Sequence, residues 1–102
     1  MINTNIKNSH LRIENLFKSI FTEVPNTSIS LNDESVIIEH NDQSNPDAAS
    51  IEIFKLEEVY KVSYWDGYSL AEEEIETDLN KALKIFKRYS KKMAKNLVRF
   101  SN

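Results

Sequence analysis

Cysteine is absent from this chain of 102 residues, and glycine occurs only once. Without cysteine the protein has no disulfide, no thiolate metal ligand and no cysteine nucleophile. The single glycine, Gly67, excludes phosphate-binding loops and nucleophile elbows, because both need several glycines close together. A small domain that folds without disulfides is typical of the cytoplasm, and we expect that location.

Long apolar runs are missing as well. The first 24 residues are interrupted by Lys7, Arg12, Glu14 and Lys18, which argues against a signal peptide. No stretch approaches the roughly 18 apolar residues of a membrane span. Apolar residues make up 40% of the chain and charged residues 28%, as in globular proteins. The length predicts a single domain over residues 1–102.

Amphipathic helices are predicted at both ends of the chain. Residues 5–23 place apolar side chains at helical spacing, with Thr4 or Asn5 as the N-cap. Residues 78–100 form a longer helix, with Thr77 as its N-cap. The apolar stripe of this second helix consists of Leu79, Ala82, Leu83, Phe86, Tyr89, Met93, Leu97 and Phe100.

Four or five strands are predicted between the helices. Their residues are 28–31, 35–40, 50–55, 58–64 and 68–76, and residues 41–49 read as an exposed loop. The last strand is rich in glutamate, so a helix beginning near Ser69 is the alternative. Short connections predict an antiparallel meander with both helices on one face, which is an α+β fold.

Two hairpin turns are predicted from local chemistry. Asp66-Gly67 fits a two-residue type I′ turn, which needs positive φ at both positions. A second hairpin is expected to turn near Leu56-Glu57.

Charge is distributed unevenly along the chain. Residues 1–76 contain 15 acidic and 5 basic residues, whereas residues 77–102 contain 8 basic residues and one acid, Asp78. This asymmetry marks a binding surface, or it reflects a solvated basic helix beside an acidic sheet.

The candidate partner-binding residues lie around the Asp-Gly turn and along the acidic strand. An exposed tryptophan near acids is a suitable protein-binding anchor. The alternative is that the glutamates protect a sheet edge from aggregation. The candidates are Trp65, Asp66, Tyr68, Glu72, Glu74 and Glu76. Adjacent glutamates cannot all be buried for acid–base catalysis. Together with the absence of cysteine and of glycine-rich motifs, this leads us to predict no enzyme, no catalytic residue, no metal and no cofactor.

Two other functions are consistent with the sequence. The basic face of the last helix suggests phosphate contacts in a nucleic-acid-associated regulator, although no aromatic residue interleaves with the bases. The residues for that alternative are Lys84, Lys87, Arg88, Lys91 and Lys95. Apolar residues on both faces of several strands suggest a homodimer or structural homo-oligomer.

The central part of the chain resembles a known group of proteins. Tyr64-Trp65-Asp66-Gly67-Tyr68 precedes an acidic strand ending in Ile75-Glu76-Thr77-Asp78-Leu79, and Lys81-Ala82-Leu83-Lys84-Ile85-Phe86 opens the helix. Over roughly residues 50–89 this pattern resembles the small α+β immunity proteins encoded beside bacterial polymorphic toxins. The resemblance implies a non-enzymatic role in which the domain binds and neutralises a cognate toxin, often through an acidic surface.

Overall fold

The computed structural model describes residues 5–41 and 48–100. Its order is helix, five strands, helix, as the sequence predicts. A 3-10 turn at Lys7–Ser9 leads into the first helix. The elements are α1 (His10–Ile20), β1 (Thr27–Leu31), β2 (Ser35–His40), β3 (Ser50–Leu56), β4 (Val59–Trp65), β5 (Leu70–Glu76) and α2 (Leu79–Phe100).

The strands form one antiparallel sheet in which each strand pairs only with its neighbours in sequence. Val36 pairs with Ile53, Ile53 with Val62, and Val62 with Glu74. The meander and the α+β fold are therefore confirmed. The acidic segment is strand β5, so the alternative of a helix beginning near Ser69 is wrong.

The helices cover one face of the sheet, and the core lies between the helices and that face. Burial alternates along β2, β3 and β4, because successive side chains point to opposite faces. Apart from Leu97, which is half-buried, and Phe100, whose side chain lies outside the description, the predicted stripe of α2 is buried. The strand side chains facing the helices are Val36, Ile38, Ile51, Ile53, Tyr60, Val62 and Tyr64.

Both predicted helix caps need correction. The first helix covers His10–Ile20 and not residues 5–23, and Ser9, which precedes it, forms no side-chain capping hydrogen bond. Asn5 Oδ1 accepts a hydrogen bond of 2.7 Å from the Asn8 N–H, while Thr4 lies outside the described residues. Asp78, not Thr77, caps α2: its Oδ1 accepts the Asn80 N–H at 3.0 Å. Asp78 directly precedes the first helical residue, which is where a short side chain reaches the free N–H groups.

Both predicted hairpin turns need correction. A four-residue connection, 66–69, joins β4 to β5, and only Gly67 among its residues has positive φ, at 102°. A type I′ turn needs positive φ at Asp66 as well, so that prediction is wrong. The β3–β4 turn lies at Glu57-Glu58, one residue later than predicted. Within the predicted loop 41–49, residues 42–47 lie outside the described part.

Candidate functional site

Alternate glutamates of β5 lie on the helix side of the sheet. Glu72 pairs across the sheet with Tyr64, and Glu74 pairs with Val62. Both β4 residues are buried beneath the helices, and paired residues on adjacent strands point to the same face. The acids that the sequence suggested for a partner therefore face α2 of the same chain.

These acids pair with bases of α2. Glu74 forms an ion pair with Arg88, and Glu72 forms one with Lys92. The four side chains are 32–52% exposed. Ion pairs in such partly hydrated positions contribute about 0–1 kcal/mol each. Part of the negative charge of the sheet is thus neutralised by bases of α2. This agrees with the interpretation of the charge asymmetry as a basic helix beside an acidic sheet.

A tyrosine pair lies directly beneath the ion pairs. Tyr89 is fully buried and donates a hydrogen bond of 2.7 Å from its hydroxyl to Glu74 Oε2. Burial, followed by the hydrogen bond to Glu74, raises the pKa of Tyr89 strongly above its usual value. The Tyr64 ring lies nearby, tilted by 34° to the Tyr89 ring with the centroids 6.3 Å apart, and the Tyr64 hydroxyl accepts a 3.0 Å hydrogen bond from Asn96. Burial also raises the pKa of Tyr64.

Among the described residues, no helix lies over the opposite side of the sheet, here called the open face. Its side chains include Ile37, Glu39, Glu52, Phe54, Lys61, Ser63, Trp65, Glu73 and Ile75. Lys61 binds Glu73 at 3.2 Å and lies 5.9 Å from the centre of the Phe54 ring. Glu39 and Glu52, by contrast, form no ion pair among the described residues.

The β4–β5 loop extends one end of the open face. Asp66 Oδ1 accepts hydrogen bonds of 2.9 Å from the N–H groups of Tyr68 and Ser69, which fixes the loop. Tyr68 is 89% exposed and Leu70 is 52% exposed. Leu70 pairs with Trp65 next to a register shift, where Ala71 is an extra residue on β5 between the partners of Tyr64 and Trp65. The structure thus brings Trp65, Asp66 and Tyr68 together.

The structure adds Leu70 to this group and separates the glutamates from it. Leu70 was missed by sequence reasoning, because its exposure depends on where the loop ends and on the register shift. Its position as a large apolar residue just after the turn was the available signal. Glu72 and Glu74 point to α2, and Glu76 also lies on the helix side, paired with Tyr60.

The basic residues of α2 divide into two groups. Arg88 points to β5, whereas Lys84, Lys87, Lys91 and Lys95 are exposed. Their spacings of three and four residues align them on one side of the helix. None of the four forms an ion pair within the part of the chain that the structure describes. We call these four residues the lysine ridge.

A shallow groove of about 560 Å³ lies between the end of α1 and the end of α2. Half of its eight lining residues are aliphatic and half are polar, with Glu23 and Lys95 as the charged members. Over residues 5–41 and 48–100, no three histidine, aspartate or glutamate side chains gather in a way that would hold a metal ion. The same residues contain no helix long and apolar enough to cross a membrane.

No protein-family model, curated protein or solved structure matches this chain. The functional interpretation therefore rests on the arrangement of residues on the open face, in the β4–β5 loop and in the lysine ridge.

Proposed function

We propose that this domain is a non-enzymatic protein-binding module whose contact surface is the open face together with the β4–β5 loop. The observation that carries the proposal is Tyr68, which is 89% exposed on a loop fixed by Asp66. Aromatic side chains on rigid supports lose little conformational freedom on binding and commonly supply most of the binding energy. Leu70 and Trp65 lie beside it and widen the apolar contact.

Charge suggests that the partner is a basic protein. Glu39 and Glu52 on the open face have no ion-pair partner among the described residues, unlike Glu72 and Glu74. A basic surface that approaches this face gains favourable electrostatics without breaking an existing ion pair. Complementary charge of this kind mainly accelerates association.

The finer form of the proposal is that the partner is a toxin and that binding neutralises it. The support is the resemblance of the strand, loop and helix pattern around Trp65 to immunity proteins. A cytoplasmic location belongs to the same proposal, because a chain without cysteine needs no oxidising compartment to fold.

The test compares capture by matched variants. Wild-type protein, Tyr68→Ala, the pair Glu39→Lys with Glu52→Lys, and the pair Glu57→Lys with Glu58→Lys are used as baits in nuclease-treated lysate of the source cell. The last pair is the control, because it makes the same charge change at the β3–β4 turn, at the other end of the sheet. Captured proteins are compared by quantitative mass spectrometry, and association rates are then measured with the purified candidate.

We expect one basic protein to be captured equally by wild type and control, and to be lost with Tyr68→Ala. The Glu39→Lys and Glu52→Lys pair should slow its association by about tenfold or more at low salt. Capture that is the same for all four baits would place the contact elsewhere and overturn the proposed surface. A captured partner that is hydrolysed or modified would overturn the non-enzymatic role.

A second candidate function is polyanion binding by the lysine ridge. The observation that favours it is the set of four exposed lysines on one side of α2 that form no ion pair with any described residue. Gel shifts at low salt with DNA and with RNA test it, with Lys84→Gln, Lys91→Gln and Lys95→Gln combined as the variant. A shift that the variant abolishes and that weakens steeply with salt supports it. Absence of any shift with the wild-type protein removes it.

A further inference from the structure

The outer edge of β1 presents unpaired backbone groups. Asn32 N–H donates to the Ser35 carbonyl at 2.9 Å and Asn41 N–H donates to the Asn26 carbonyl at 2.6 Å. In an antiparallel pair these bonds alternate, so Ser28 and Ser30 bond to β2. The backbone groups of residues 27, 29 and 31 therefore point away from the sheet. Among the described residues, no hydrogen bond from another segment reaches them.

The two edges of the sheet differ in their protection. β5 contains four glutamates in its seven residues, and such charges discourage a further strand from adding. β1 has the sequence Thr-Ser-Ile-Ser-Leu, without a charge, a proline or a glycine. A β5 edge facing a second β5 edge would also set glutamate near glutamate. The edge that is open to strand addition is therefore β1.

We propose that β1 pairs antiparallel with β1 of a second copy of this chain, about a two-fold axis at Ile29. In this register Ile29 faces Ile29 of the other copy, Thr27 faces Leu31, and Ser28 faces Ser30. The outward backbone groups then exchange roughly six hydrogen bonds, and the two sheets become one. The dimer goes beyond the proposed function and uses a different surface.

The side chains of β1 complement themselves in this arrangement. Thr27, Ile29 and Leu31 are half-buried on the helix side. Ile29 would cover Ile29 of the second copy, and Thr27 and Leu31 of opposite copies would cover each other. On the open-face side the exposed Ser28 and Ser30 meet without any like charge. Matched cross-strand pairs of these types stabilise antiparallel sheets. This self-complementarity is the reason for assigning the edge to a second copy.

Charged residues introduced at the β1 edge test whether two copies associate through it. Sedimentation of the wild-type protein over a range of concentrations up to millimolar should show a monomer–dimer equilibrium. Ser28→Lys with Ser30→Lys sets lysines opposite each other and should weaken dimerisation by about tenfold or more. Ser28→Glu with Ser30→Glu should do the same. An equimolar mixture of the two variants pairs lysine with glutamate and should restore the dimer.

The control for charge alone is Ala71→Lys on the exposed β5 edge, which should dimerise like wild type. Thermal unfolding verifies that each variant folds. A wild-type chain that stays monomeric at the highest concentration overturns the proposal. So does a dimer that Ser28→Lys with Ser30→Lys leaves unchanged, because another surface would then hold it.

Cysteine cross-linking tests the register, since the natural chain has no cysteine to interfere. Residues 28 and 30 of opposite copies form a pair without backbone hydrogen bonds, where the two Cβ atoms lie closest. A mixture of Ser28→Cys and Ser30→Cys chains should oxidise mainly to the mixed disulfide dimer. Equal cross-linking of either chain with itself would contradict this register.

Discussion

The Tyr89 hydroxyl reaches Glu74 Oε2 at 2.7 Å, so a fully buried side chain of α2 is tied to a half-exposed acid of β5. Arg88 binds the same carboxylate from the helix surface. Glu74 therefore accepts hydrogen bonds from two adjacent residues of one helix: the buried, neutral hydroxyl of Tyr89 and the exposed, cationic guanidinium of Arg88. This arrangement explains why an acid-rich strand lies beside a base-rich helix.

Removal of the buried hydroxyl should destabilise the fold. Tyr89→Phe keeps the ring in the core but loses the hydrogen bond, which should lower the free energy of unfolding by about 1 kcal/mol. For a domain of this size the melting temperature should fall by about 4–8 °C. Thermal and urea unfolding followed by circular dichroism measure the change. Tyr68→Phe is the control, because Tyr68 is 89% exposed, and a Tyr89→Phe protein as stable as this control would contradict the prediction.

Alkaline pH should weaken the fold through the two buried tyrosines. The pKa values of Tyr64 and Tyr89 are raised in the folded state above 10.0, mainly by burial. Below pH 10.0 both tyrosine hydroxyls keep their protons in the folded and in the unfolded state. Above it the unfolded chain loses protons that the folded chain retains, so stability falls by up to about 1.4 kcal/mol per pH unit for each tyrosine.

Urea unfolding between about pH 8 and pH 11 measures this decline. Tyr89→Phe removes one of the two contributions, so its stability should fall less steeply with pH. An unchanged slope in this variant would mean that Tyr89 ionises alike in both states.

A charge exchange should show that Glu72 and Lys92 act as a structural pair. Glu72→Lys places a lysine beside Lys92 and should cost about 1 kcal/mol, and Lys92→Glu should cost a similar amount beside Glu72. The double exchange should recover most of the loss, with a coupling of about 0.5–1 kcal/mol. Urea unfolding of the four proteins at low salt measures it. Strict additivity of the two losses would show that the pair contributes nothing.

Two positive-φ positions should respond oppositely to substitution. Gly67 has φ of 102°, so Gly67→Ala should destabilise by about 1–2 kcal/mol through the clash of the added Cβ. Glu57 has φ of 32° and bears that clash already, so Glu57→Gly should stabilise by up to about 1 kcal/mol. Thermal unfolding compares both with wild type. Changes of the same sign would contradict this explanation.

Much of the fold was predictable because it follows from local periodicity. The apolar stripe of α2 and the alternation in β2 each determine which side chains enter the core. Turn geometry was less predictable. Asp66 bonds through its side chain to the N–H groups of Tyr68 and Ser69, and this interaction lengthened a turn that dipeptide chemistry predicted to be short.

The direction of the β5 glutamates was the main uncertainty at the candidate site. Alternation alone shows that Glu72, Glu74 and Glu76 share a face, but not which face. That choice depends on the register with β4, where Glu74 pairs with the buried Val62. The cation partners lie 14 and 20 residues away, a separation that no local pattern relates to them. The role of these acids in partner binding therefore stays a prediction.

The meander has a consequence for folding kinetics. Every strand pairs with the next strand in sequence, and α2 packs on β3, β4 and β5, which immediately precede it. These contacts join segments that are close together in sequence, which gives a low contact order. Low contact order favours rapid folding. The contact between α1 and α2 joins the two ends of the chain and requires the longest closure. We therefore expect the strands β3 to β5 with α2 to assemble first, and α1 to dock last.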